Sequence, residues 1–138
     1  MRVSRERSTT ILHFGTDRAA LLLRARNLNQ MGYEVLNSSN GFEAIQLGSL
    51  DVVDAVVLDQ DGNCAEVELV AVQIKRFRPH VPTILLAEGE GRLGRTQELA
   101  DALVSKRDNV QMLVTALEGV LAKRLPEKGT KGFKLRKV

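Results

Sequence analysis

The sequence predicts an α/β fold, a doubly wound parallel sheet of five strands, and three observations carry that expectation. Short apolar, β-branched runs alternate five times with segments of helical period, the pattern of strands joined by crossover helices. Val56, Val57 and Leu58 form an unbroken apolar run, as a strand buried on both faces requires. With 138 residues, 43% of them hydrophobic but only 4% aromatic, the chain can build one domain around an aliphatic core.

Taken in order, Thr9–Phe14 reads as the first strand and ends at Gly15-Thr16-Asp17. Asp17 suits a helix N-cap, because a short acceptor there satisfies free amides of the first turn. That helix runs to about Met31, with Leu21, Ala25 and Leu28 on its buried face, Arg18, Arg24 and Arg26 elsewhere, and Gly32 as its stop. Tyr33–Leu36 is the second strand, Asn37–Gly41 a turn cluster, and Phe42–Leu47 a short helix closed by Gly48.

The third strand delivers Asp59, Asp61 and Gly62 onto a tight turn. Val67, Val70, Ile74 and Phe77 then repeat at helical spacing until Arg78-Pro79, since the residue before proline is pushed out of the α region. Pro82–Ala87 is the fourth strand, Glu88–Arg95 a glycine-rich loop, Thr96–Ala100 a helical piece and Ala102–Ser105 the fifth strand, ending at Lys106. Val110, Leu113, Val114, Leu117, Val120 and Leu121 give the cleanest amphipathic helix. Right-handed crossovers leave few arrangements of five such units, and the flavodoxin-like order 2-1-3-4-5 is the common small one. It gathers the carboxyl ends of strands one, three and five, and with them Gly15-Thr16, Asp59 and Lys106.

The net charge of +3 is unevenly spread. Residues 123–138 hold seven Lys or Arg against Glu127, a net of +6, and residues 2–7 add +2, so residues 8–122 carry −5. The expected division is a basic arm over 1–8, a domain over 9–122 and a basic, disordered tail over 123–138, the tail being a weak nucleic-acid contact at most. The single cysteine, Cys64, excludes an internal disulfide and a cysteine-cluster metal site. No apolar run reaches the roughly 18 residues of a membrane span and no signal-peptide pattern opens the chain, so a cytoplasmic protein without membrane contact is expected.

Six short pieces in order carry a resemblance: Ile11-Leu12, Gly32-Tyr33-Glu34-Val35, Gly41-Phe42-Glu43-Ala44, the run from Asp54 to Asp59, the run from Val81 to Leu86, and Lys106 after the fifth strand. Over residues 9 to about 122 the sequence resembles the receiver domain of bacterial two-component response regulators. The resemblance implies that Asp59 is the phosphoacceptor position and Lys106 the residue pairing with phosphoryl oxygens, with Mg²⁺ held by the aspartate and an acidic pair after the first strand. Here Gly15-Thr16 stands at the acidic pair, leaving Asp59 and Asp61 as the carboxylates within reach of a metal. Ala87 replaces the switch hydroxyl, Leu103 the switch aromatic, and Arg107 the proline after the lysine.

Phosphoryl chemistry is thus expected to be compromised while the fold and its surfaces survive. The expected function is an atypical single-domain receiver-like protein, not an enzyme, that acts by protein–protein interaction. Mg²⁺ is expected only if phosphorylation is retained, and no other cofactor. A histidine kinase or a downstream effector is the expected partner, with homodimerisation through the face of the fourth helix, fifth strand and fifth helix. The alternative is a working phosphoacceptor using Asp59 and Lys106 in a phosphorelay, and their simple ion pairing is an equal expectation.

Three other patterns occur in the sequence. Asp59-Gln60-Asp61-Gly62-Asn63 resembles the Asp-x-Asp motif of haloacid-dehalogenase-like phosphotransferases, in which nucleophile and general acid sit two residues apart. That motif belongs on the first core strand and needs a later acidic pair. A calcium loop starting at Asp59 fails at Cys64 and Val70. Gly89-Glu90-Gly91-Arg92-Leu93-Gly94 fits a dinucleotide pattern but leaves no room for a crossover helix. His13 is expected to be a packed sheet histidine, and His80 an exposed loop residue.

Overall fold

The computed structural model describes residues 8–60, 64–88 and 94–132, with backbone alone at 64, 94 and 124–132. The elements are β1 (Thr10–Phe14), α1 (Arg18–Gln30), β2 (Glu34–Ser38), α2 (Gly41–Gly48), β3 (Ala55–Asp59), α3 (Cys64–Phe77), β4 (Thr83–Ala87), α4 (Gly94–Leu99), β5 (Ala102–Ser105) and α5 (Val110–Gly132). All five strands lie in one parallel sheet of order β2-β1-β3-β4-β5, as the crossover argument required.

The alternation of side chains along each strand divides the core in two. Leu12, Phe14, Val56, Leu58 and Leu85 meet Val67, Val70 and Ile74 of α3 on one face. Ile11, Ala55, Val57, Ile84 and Leu86 meet Leu28 of α1 and Leu113, Val114 and Leu117 of α5 on the other. His13 and Asp59 share the parity of Ile11 and Val57, so both side chains emerge on the side of α1 and α5. Complete burial of a leucine such as Leu117 contributes about 1.5–3 kcal/mol, so these aliphatic contacts dominate the stability.

The caps follow the sequence. Asp17 Oδ1 accepts from the Ala20 amide at 3.2 Å and Asn40 Oδ1 from the Glu43 amide at 3.0 Å. Gly32, at φ +100, ends the turn after α1 in a conformation that side-chain-bearing residues avoid.

One expectation is corrected. Asn37 and Ser38 belong to β2, not to a turn, because the pairings His13↔Asn37 and Phe14↔Ser38 extend the parallel ladder to the end of β1. The backbone of α5 is helical to Gly132, so the basic segment from residue 123 begins within this helix. Lys123, Arg124, Leu125, Glu127 and Lys128 are good helix formers, which favours continuation through Pro126 despite its missing amide hydrogen. Most of the N-terminal arm (1–7), the Asp61-Gly62-Asn63 turn, residues 89–93 of the glycine-rich loop and residues 133–138 lie outside the described residues.

Candidate functional site

Asp59 is the last residue of β3 and is 1% exposed. A buried carboxylate is tolerated only with compensation, and two cations supply it. Lys106 Nζ lies 2.7 Å from Oδ1, and Arg24 Nη1 lies 2.8 Å from Oδ2. The Arg24 contact is a hydrogen bond donated by the guanidinium, and the lysine contact is an ion pair.

The backbone explains how each group arrives. Ala87, the last residue of β4, pairs with Ser105, and its carbonyl accepts the Lys106 amide at 3.0 Å, so the lysine leaves β5 beside the end of β4 and its side chain reaches across that strand to Asp59 on β3. Arg24 comes from the middle of α1, three residues after buried Leu21 and four before buried Leu28. That spacing sets it on the inner flank of the helix, so placing it away from the buried face is corrected here. Its guanidinium reaches Asp59 at the end of β3 and His13 on β1, and the side chain is 19% exposed.

A second bond from the same nitrogen extends the network. Arg24 Nη1 lies 3.2 Å from His13 Nε2, and His13 Nδ1 lies 3.1 Å from Asn37 Oδ1. A guanidinium can only donate, so Nε2 must accept and the imidazole proton resides on Nδ1, from which it is donated to Asn37. Burial lowers the His13 pKa from 6.5 to about 4, with Arg24 contributing in the same direction and Asp59 and Asn37 opposing. A continuous polar chain therefore crosses the carboxyl edge of the sheet: Asn37, His13, Arg24, Asp59, Lys106. Sequence reading reached its Asp59 and Lys106 end and expected a packed His13; Asn37 was missed and Arg24 misplaced.

Gly15, buried at the end of β1, belongs to the same construction. A Cβ on Gly15 would lie 2.8 Å from the Cβ of Asp59, below any ordinary contact distance. The strand ends close on one another where an acidic pair was sought, and Thr16 beside Gly15 is exposed. Both Asp59 oxygens face cations, and no group of three or more acidic, histidine or cysteine side chains capable of holding a metal occurs among the described residues. Magnesium, which is held by one or two carboxylates with water completing its six oxygens, finds neither oxygen of Asp59 clear of a cation, so the described residues do not fit it. Arg24 holds one of the oxygens that a metal would need. Asp61, the other carboxylate considered for a metal, is outside the described residues.

The remaining candidates fall elsewhere. Ala87 is buried and Leu103, on edge strand β5, is 47% exposed. His80 is exposed in the turn before β4. Asp59 ends the third strand of the chain, whereas the Asp-x-Asp reading needed the first.

No protein-family model matches the sequence, and no curated protein does. Solved structures do match. A response regulator receiver domain protein (CheY-like) from Methanospirillum hungatei is 19% identical with a TM-score of 0.76, covering 88% of this chain and 99% of that one. A response regulator from Thermotoga maritima in complex with Mg²⁺ and BeF is 26% identical with a TM-score of 0.71, covering 81% and 98%. The receiver domain of a sensor histidine kinase from Pseudomonas aeruginosa, with magnesium coordinated in its active-site cleft, is 16% identical with a TM-score of 0.75, covering 84% and 99%. The five-stranded order, the register of its strands and these matches together identify the chain as receiver-like, with the fold of response regulator receiver domains.

Proposed function

We propose that this protein is a receiver-like signalling module that works through protein contacts, with Asp59 serving as the fixed anion of a structural network and not as an efficient phosphoacceptor. The observation that carries this reading is the double pairing of Asp59 with Arg24 and Lys106 in a buried position. Attack on a phosphodonor needs a carboxylate oxygen free to approach phosphorus and a divalent charge to stabilise the transferring group. In this site one oxygen is occupied by a guanidinium, the other faces the lysine, and the acidic pair is replaced by Gly15 and Thr16.

Signalling then rests on surfaces. The face of α4, β5 and α5 presents exposed Leu103 and Met112 and is the candidate for homodimerisation or for docking a histidine kinase or effector. Lys106 beside Asp59 at 2.7 Å is the feature that favours the second reading, a working phosphoacceptor.

Incubation with acetyl phosphate and Mg²⁺, followed by intact-mass measurement of the wild type and Asp59→Asn, separates the two. The proposal expects no phosphoryl adduct on either protein. A gain of one phosphoryl group that depends on Asp59 would overturn it.

A further inference from the structure

Behind the Asp59 network lies a cavity of about 420 Å³ between α1 and the end of β5 with the start of α5. It is of the size and mixed character of small-molecule sites, mainly apolar with a few placed polar groups. Leu23, Val104 and Leu113 supply apolar wall, and Arg24 and Lys106 supply cationic wall. Leu23 is 61% exposed, an apolar side chain left at the mouth.

Arg24 makes this more than a crevice. Its Nη1 serves both Asp59 and His13, and no hydrogen bond of the protein uses its Nε or Nη2 among the described residues. Three N–H donors of a guanidinium that is only 19% exposed are thus left over, on a side chain that lines the cavity. The Nε and Nη2 edge is the fork that matches a carboxylate with two parallel hydrogen bonds. Asp59 holds the other part of the guanidinium in place, so the fork is already oriented before any ligand arrives.

Asp108, an exposed residue, also lines the cavity, and its carboxylate opposes a second negative charge on a ligand. We propose that this cavity binds a small monocarboxylate with an apolar body, its carboxylate on the Nε and Nη2 edge of Arg24 and its body against Leu23, Val104 and Leu113. Such a ligand would bridge α1 and α5 and give the module a chemical input that does not pass through Asp59. This holds whether or not Asp59 accepts a phosphoryl group.

The test is a titration of the ¹⁵N-labelled full chain with phenylacetate, alongside the neutral isostere phenylacetamide and the dianion phenyl phosphate. The expected result is saturable movement of the Asn27 and Asn109 amides, which border the cavity, with phenylacetate. Both controls should bind at least about tenfold more weakly, the loss of roughly one charge-assisted contact. Arg24→Lys keeps a cation for Asp59 but removes the fork, and should weaken phenylacetate by about tenfold or more. Ala20→Phe fills the cavity without touching a charge and should abolish the response. An absence of saturable shifts, equal binding of phenylacetamide, tighter binding of phenyl phosphate, or an undiminished response in Arg24→Lys or a folded Ala20→Phe would each overturn the proposal. If Ala20→Phe fails to fold, the controls and Arg24→Lys still decide it.

Discussion

Acidification should destabilise this protein through one buried histidine. His13 has a folded-state pKa of about 4, because burial and the neighbouring Arg24 disfavour its cation, against 6.5 when unfolded. Between those values the unfolded chain binds the proton and the folded chain does not, so stability falls as pH drops from about 6.5 to 4 and is complete above that window. A displacement of about 2.5 pKa units corresponds to about 3 kcal/mol by pH 4, with roughly half already lost by pH 5.5. Carboxylates also titrate in this range, so a single acid denaturation curve would not isolate the effect. Urea unfolding of the wild type and of His13→Gln, at several pH values from 7 to 4, does so by difference. The wild type should lose about 3 kcal/mol more than the variant across that range. Parallel pH profiles for the two proteins would refute the tautomer and the network built on it.

Three further outcomes follow from the same site. Arg24→Met removes one of two counter-ions from a buried carboxylate that keeps Lys106, which should cost about 2–3 kcal/mol and lower Tm by roughly 7–10 °C in a melt followed by circular dichroism; an unchanged Tm would show that the pair contributes nothing. Gly15→Ala drives a methyl group against the Asp59 side chain at 2.8 Å and should cost about 1–3 kcal/mol in chemical denaturation. Gly32→Ala meets no steric obstacle but must adopt φ near +100, so its cost should be smaller, about 1 kcal/mol, and confined to backbone strain.

Much of the fold was legible because its signals are local. Asp17 before an apolar period, Pro79 after Arg78 and the unbroken run Val56–Leu58 each mark an element or its end by short-range chemistry. The boundaries that moved depended on partners. Asn37 looks like a turn residue by itself and becomes strand only because β1 offers His13 as its neighbour.

The candidate site divides along the same line. Sequence by itself determined that Asp59 ends a buried strand, that Lys106 follows the fifth strand, and that no acidic pair precedes α1, because these depend on residue type and order. It also contained an unused clue to Arg24, whose spacing from Leu21 and Leu28 sets it at the edge of the buried face. Only the tertiary structure decided that this arginine reaches Asp59. That outcome depends on the strand parity that turns Asp59 and His13 towards α1, on the close approach of β1 and β3 at Gly15, and on a guanidinium long enough to span from helix to strand. These are distances between segments far apart in the chain, set by how the two layers of the core pack, and no local pattern encodes them.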